Sequence, residues 1–276
     1  MARQGAWIDV FPFNGRNIQV HDNGRNFLLE GGLEKYSKEL WQPKLEKGWK
    51  SSWIPFADYV SFEKDKVDLG AGTMGFWQVD GAVKSIEEQK PFAPEQGFVN
   101  ALSVGFLTAT KDGKVIFQRR PENVHCPNIL IHEPCGYMAS RNFVPNHVSD
   151  NLENSHDPRL FDIYVQLEKR REELANTFGV STQDVNYNLT QDFLASGWLT
   201  KEMYFSTTGK INAEQKDLRL PEKEEFIFVP FEDLKQLLYN QSRLAKVNPI
   251  GYRPSDSREI PLIDESLIGL VYGYEK

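Results

Sequence analysis

Glu168-Lys169-Arg170-Arg171-Glu172-Glu173-Leu174-Ala175-Asn176-Thr177-Phe178-Gly179-Val180 is the stretch on which the reading of the fold turns. Leu160, Phe161, Tyr164, Leu167, Leu174 and Phe178 recur at helical spacing before and within it, which predicts an amphipathic helix from Asp157 to Phe178. Asp157 can cap the first turn, Pro158 suits the first helical position, and Gly179 stands where a C-terminal glycine cap belongs. Such a helix should lay Leu160, Tyr164, Leu167 and Leu174 on a sheet.

The sheet is foreseen on both sides of it. Phe98 to Arg119 is rich in β-branched and aromatic residues and is broken by Lys111-Asp112-Gly113-Lys114, an Asp-Gly hairpin signal. Further strands are expected at Met203–Thr207 and Phe226–Val229, the second ended by Pro230 and followed by a short helix from Glu232 to Tyr239. Strands and helices alternate with a hairpin included, which indicates an α/β or α+β layer fold around a mixed sheet. The polar run Arg141 to Ser155 reads as surface loop.

Before this region the composition changes at Gln89 to Gly97, a connector with two prolines. Residues 1–95 form a smaller aromatic-rich α+β region, with strand-like pieces at Ala6–Val10 and Tyr59–Phe62 and a helix at Leu33–Trp41. Its tryptophans, Trp7, Trp41, Trp49, Trp53 and Trp77, read as core and interface aromatics. Gly70-Ala71-Gly72-Thr73-Met74-Gly75 has dinucleotide-loop spacing, but Phe76 to Gly81 after it reads as strand and turn, so the motif is taken as a glycine-rich loop. The organisation expected is residues 1–95, a main domain over 96–240, and a tail over 241–276 that packs back through Ile260–Ile263 and Leu267–Tyr272.

A hairpin leading to Gln118-Arg119-Arg120, a loop ending in Pro134-Cys135-Gly136-Tyr137, the helix ending Glu172-Glu173-Leu174 with Phe178-Gly179-Val180, and the closing Phe226 to Leu234 together resemble a Nudix domain. The resemblance covers residues 98 to 239 and implies an α/β/α sandwich with a mixed sheet. It further implies a hydrolase acting on a nucleoside diphosphate derivative, with Mg²⁺ or Mn²⁺ held by carboxylates of the signature helix. The chemistry needs several anionic oxygens on one helix face, because hard divalent cations prefer them.

The chain departs from the family pattern, in which the helix reads Arg-Glu-apolar-x-Glu-Glu-x-Gly-apolar. Anchored on Gly179, Glu172 stands at the arginine position, Glu173 at the first glutamate, and Asn176 and Thr177 at the paired glutamates. Anchored on Gly136, the earlier glutamate falls on Asn142, and Gly136 lies 43 positions before Gly179, about twice the family spacing. The resemblance therefore implies catalytic roles for Glu172, Glu173 and Glu225 and metal ligation by Glu172, Glu173 and Glu224. Substrate contacts would come from Arg119, Arg120 and Gly136, the guanidinium groups matching a diphosphate. A weak metal site and slow turnover are expected. The alternative is a catalytically silent Nudix-fold protein that binds a nucleotide-like ligand or a protein partner and needs no metal.

Other features set bounds. Among 276 residues, 40% are hydrophobic and 26% charged; Lys plus Arg is 32 and Asp plus Glu 39, so 32 − 39 = −7. A net negative chain is a poor binder of nucleic-acid duplexes, though a small anionic ligand needs only local basic residues. With no apolar run long enough for a bilayer, no signal-peptide core and two cysteines, a cytoplasmic protein without membrane partners is expected, a homodimer being an open option. His125, Cys126, His132 and Cys135 fall close together, but their spacing matches no standard zinc finger and they read as packing or loop residues. Asp150, Glu153, His156 and Asp157 read as loop polar groups, as do Glu222, Glu224 and Glu225 unless the helix borrows them as ligands. Glu168, Glu172 and Glu173, interleaved with Lys169, Arg170 and Arg171, can equally be a solvated helix face.

Overall fold

Strand-forming runs on either side of the Gln89–Gly97 connector join one sheet in the computed structural model. It describes residues 9–12, 17–88, 90–91, 100–122, 130–139, 142–143, 157–197, 202–234, 251–252 and 260–261. The first elements are β1 (Asp9–Pro12), β2 (Asn17–Asn26), α1 (Gly31–Glu46), β3 (Ser51–Phe62), β4 (Lys66–Gly75) and α2 (Phe76–Glu87). Next come β5 (Ala101–Ala109), β6 (Lys114–Arg119), β7 (Leu130–His132), β8 (Cys135–Tyr137) and β9 (Asn142–Phe143). Then follow α3 (Ile163–Phe178), β10 (Val185–Gly197), β11 (Glu202–Ile211) and β12 (Glu225–Pro230), with β13 (Gly251–Tyr252) and β14 (Ile260–Pro261) in the tail.

Among the described residues, 12 strands form one sheet whose main path runs β1-β10-β11-β5-β3-β4-β2. The β11–β5 and β2–β4 pairs are parallel and the rest antiparallel, so the protein has a mixed-sheet α/β fold. Residues 51–75 meet the later strands where Phe56 registers with Ala101 and the Ala57 N–H donates to the Asn100 carbonyl at 3.0 Å. The foreseen hairpin links β5 to β6 through Gly113, whose φ of 75° is a left-handed conformation that glycine adopts without penalty. On the far side of β6, β12 pairs antiparallel with it and β7 occupies its other partner position.

The signature helix is shorter than its sequence pattern. Asp157 caps only a single 3-10 turn, Pro158–Leu160, and α3 starts after Asp162, whose side chain accepts from the Val165 N–H. Gly179 ends it in the left-handed conformation (φ 66°), as expected. Leu160, Leu167, Leu174 and Phe178 are buried in the main core, where Phe178 meets Phe226 and Phe228 edge-on or tilted. Tyr164 is the exception: it is 47% exposed, because the helix turns that position away from the sheet.

Three further expectations need correcting. Gly70 to Gly75 lies within β4 and is no loop; Gly70 and Gly72 leave room for the rings of Tyr59 and Phe56 on the neighbouring strand. Phe76 to Gly81 is helical, held by packing of α2 on α1: Asp80 accepts from the Trp41 indole at 2.7 Å and pairs with Lys44 at 2.5 Å. Trp49 is exposed, while Trp41, Trp53 and Trp77 are buried as foreseen. Of the Arg141–Ser155 run, Asn142 and Phe143 pair with Ser52 and Ser51; the remainder lies outside the described residues, as do Trp7, Leu267–Tyr272 and 235–239 of the last helix. In the tail, β14 pairs with β13.

The revised packing face makes a direct comparison. Leu167→Ala should cost about 2–5 kcal/mol through the cavity it leaves, whereas Tyr164→Ala should change stability by no more than about 0.5 kcal/mol. Urea unfolding of both variants checks this, and equal losses would place Tyr164 against the sheet after all.

Candidate active-site pocket

Helix periodicity selects which residues of α3 can act together. Arg170, Glu173, Leu174 and Thr177 are three or four positions apart, so they share one face, and all four line one small cavity of about 160 Å³. Glu172 and Asn176 point to solvent on another face. Strand alternation makes the same selection across the cavity. Phe226 registers with Gln118, and these two face the cavity, whereas the adjoining pair Glu225 and Arg119 faces away. Glu224, two positions before Phe226, therefore joins the cavity side, where its carboxylate accepts from the Gln118 amide at 2.9 Å.

The third wall is the segment between β7 and β8. Gly105 of β5 has no side chain, which admits the Pro134 carbonyl and the Tyr204 hydroxyl where a Cβ would stand. Phe106 N–H donates to that carbonyl at 3.1 Å, the Thr108 hydroxyl donates to the Glu133 carbonyl at 2.7 Å, and Cys135 registers with Gly105. Glu133, Pro134 and Cys135 are thereby set against α3, completing the cavity.

Glu133 is the group that the sequence motifs did not mark. The residue keeps some exposed surface, but its carboxyl is enclosed, and burial pushes it up to about 8 from the ordinary 4.5. Arg170, the Cys135 N–H and Arg120 oppose that shift, while the Glu224 charge adds to it. Its one legible sign is position: a carboxylic acid directly after Leu130, Ile131 and His132.

The residues singled out from the sequence divide accordingly. Glu173 and Glu224 are brought together in the cavity, and Arg120 lies within electrostatic reach of Glu133. Glu172 does not join them, and Glu225 is tied to Arg119 at 3.3 Å across the β6–β12 ladder. Gly136 serves Arg170: a Cβ there would stand 3.1 Å from the guanidinium, which lies against the β8 backbone and donates to the Tyr137 carbonyl at 2.8 Å. Arg170 also donates to Glu173 at 2.5 Å and Arg171 pairs with Glu168 at 2.5 Å, so the charges of this helix are locally matched, in i,i+3 and not i,i+4 pairs.

His132 is buried, hydrogen-bonded to the Tyr204 hydroxyl, and burial pushes it down to about 3, so it is a neutral core residue. Cys135 lines the cavity, and His125 and Cys126 lie outside the described residues. Asp157 is engaged by Arg159 beside its own turn; Asp150, Glu153 and His156 lie outside the described residues. Among the described residues, no three His, Cys, Asp or Glu side chains stand close enough together to hold a metal ion, and no helix is long and apolar enough to cross a membrane.

No family model and no curated protein matches the chain. Among solved structures it is similar to a Nudix hydrolase from M. Smegmatis, RenU, with 12% identity over 49% of this chain and 73% of that one, at a TM-score of 0.27.

The enclosed carboxyl has a measurable signature. Because folding raises the Glu133 pKa, its favourable contribution is complete below the unfolded value near 4.5 and is lost as pH rises through about 8. Glu133→Gln removes that titration, so the thermal midpoint of the variant minus that of the parent should increase from pH 5 to pH 8. A difference that stays constant with pH would mean that the carboxyl is solvated.

Proposed function

We propose that the chain hydrolyses a nucleoside diphosphate derivative in the cavity between α3, β6, β12 and the Glu133–Cys135 segment. The observation that carries this reading is the convergence of Glu133, Glu173 and Glu224 on one small cavity that also holds Arg170 and Gln118. The signature-like helix supplies Glu173, and two segments distant in sequence supply the other carboxyls, standing in for the charge lacking at Asn176 and Thr177.

Glu133, Glu173, Glu224, Gln118 and Thr177 offer oxygens of the kind Mg²⁺ or Mn²⁺ prefers, but among the described residues no three acidic side chains lie close enough to hold such an ion as they stand. The raised pKa of Glu133 suits a carboxyl that gives up its proton only when positive charge enters the site. Arg170 and Arg120 are the cationic groups of this region and would bind the anionic ligand; a planar guanidinium offers paired donors to phosphate oxygens. Glu133, once ionised, could accept a proton from an attacking water. The second reading, ligand binding without turnover, is favoured by one observation: Glu173 is engaged by Arg170 and is not free in the cavity.

Hydrolysis is tested with a panel of nucleoside diphosphate sugars and Mg²⁺ or Mn²⁺, following phosphorus NMR of the products. Slow turnover is expected. Glu173→Gln should lower kcat by about 100-fold or more, while Glu172→Gln should leave it unchanged. Binding of panel members with no product would support the second reading, and equal effects of the two substitutions would show that this cavity is not the site.

A further inference from the structure

His21, Gly70 and Tyr59 stand in one cross-strand row of β2, β4 and β3, so they share a face of the sheet. Asp68, two residues before Gly70, lies on the same face. Gly70 has no side chain, and a Cβ there would lie 2.1 Å from the Tyr59 ring. The ring therefore lies across β4, and its hydroxyl reaches His21 Nε2 at 2.8 Å. On the other side of the imidazole, Asp68 Oδ1 stands 3.3 Å from Nδ1. A carboxylate only accepts, so it favours the tautomer with the proton on Nδ1 and leaves Nε2 to accept from the Tyr59 hydroxyl. The order is nucleophile, base and orienting carboxylate, which lets a hydroxyl attack as its proton leaves. Tyr59 is 45% exposed, so an external electrophile can reach it.

We propose that Tyr59, with His21 as its base and Asp68 orienting His21, is a nucleophilic site that accepts an acyl group from an activated ester. Tyr59 Oη attacks the ester carbonyl carbon as its proton passes to His21 Nε2. The bond from that carbon to the leaving oxygen then breaks, and His21 returns the proton to the leaving group. The products are an acyl-tyrosine and a free alcohol or phenol. Charge selects an uncharged acyl donor over a phosphate. Asp22, Asp58 and Asp68 lie on these strands, while Arg25 and Lys66 are paired with Asp58 at 2.7 Å and Glu63 at 3.2 Å, so an anionic donor is repelled. The site shares no residue with the cavity lined by α3 and does not depend on the function of that cavity.

The test is treatment of the full chain with p-nitrophenyl acetate, the acetyl group being located and timed by peptide mass spectrometry. Tyr164 is the internal reference, since it is 47% exposed and hydrogen-bonded to no histidine among the described residues. Acetylation at Tyr59 should outpace that at Tyr164 by about 100-fold, the lower range for a positioned general base. His21→Phe, which keeps a ring beside Tyr59, should bring Tyr59 down to the rate of Tyr164, and Asp68→Asn should lower it in part. Thermal unfolding confirms that the variants are folded, and His21→Gln gives the same readout if the phenylalanine variant is not. Equal rates at Tyr59 and Tyr164 in the parent, or a fast Tyr59 that either substitution leaves unchanged, would overturn the proposal. Acetyl found on His21 and not on Tyr59 would make the imidazole the nucleophile and overturn it as well.

Discussion

The close approach of the 133–137 backbone to β5 is the constraint on which the candidate site depends. Gly105 gives up a side chain so that Pro134 can lie against the sheet, and β8 then registers along Ser103, Val104 and Gly105. One residue further on, Gly136 gives up a side chain on the opposite partner, so that Arg170 of α3 can rest on the same backbone. The two glycines thus set the separation between helix and sheet. That separation encloses the Glu133 carboxyl and faces it with Glu173 and Glu224. A larger residue at either position would move the wall that carries Glu133, and the charges of the cavity would no longer act on one another.

The electrostatic balance follows from this geometry. Burial raises the cost of ionising Glu133, and the Glu224 charge adds to it. The Arg170 charge offsets part of that cost. Outside the cavity the acids are matched in ordinary exposed pairs, Glu225 with Arg119 and Glu168 with Arg171, which contribute little to stability. The difference between Glu224 and Glu225, adjacent in sequence, is one step of strand alternation. That between Glu173 and Glu172 is one step around a helix.

Periodicity and caps made the central elements legible. The apolar stripe of α3, its Gly179 cap and the Asp112-Gly113 turn are local signals, and tertiary structure agrees with them. Where local and tertiary preferences diverge, the reading failed. Phe76 to Asp80 holds aromatic and β-branched residues that suit a strand, yet burial of α2 against α1 and the Trp41–Asp80 contact make it helical. β10 went unread because its pairing with β11 shifts register between Asn188 and Phe193, which breaks the alternation that reveals a strand. In the site, motif spacing reached Glu173 and Glu224 but not Glu133, Gln118 or the role of Arg170, since these depend on which strands lie beside α3. Gly136 stands at the cavity wall with Arg170 as its neighbour.

Arg170, Glu173 and Thr177 share the cavity face of α3 while Glu172 and Asn176 face solvent, so ligand charge is expected on the first face and not on the second. Anomalous diffraction from crystals soaked in excess Mn²⁺ together with a nucleoside diphosphate decides between the two faces. A peak is expected in the cavity bounded by Gln118, Glu133, Glu173 and Glu224. A peak beside Glu172 and Asn176, or none in the cavity at saturating Mn²⁺, would contradict it.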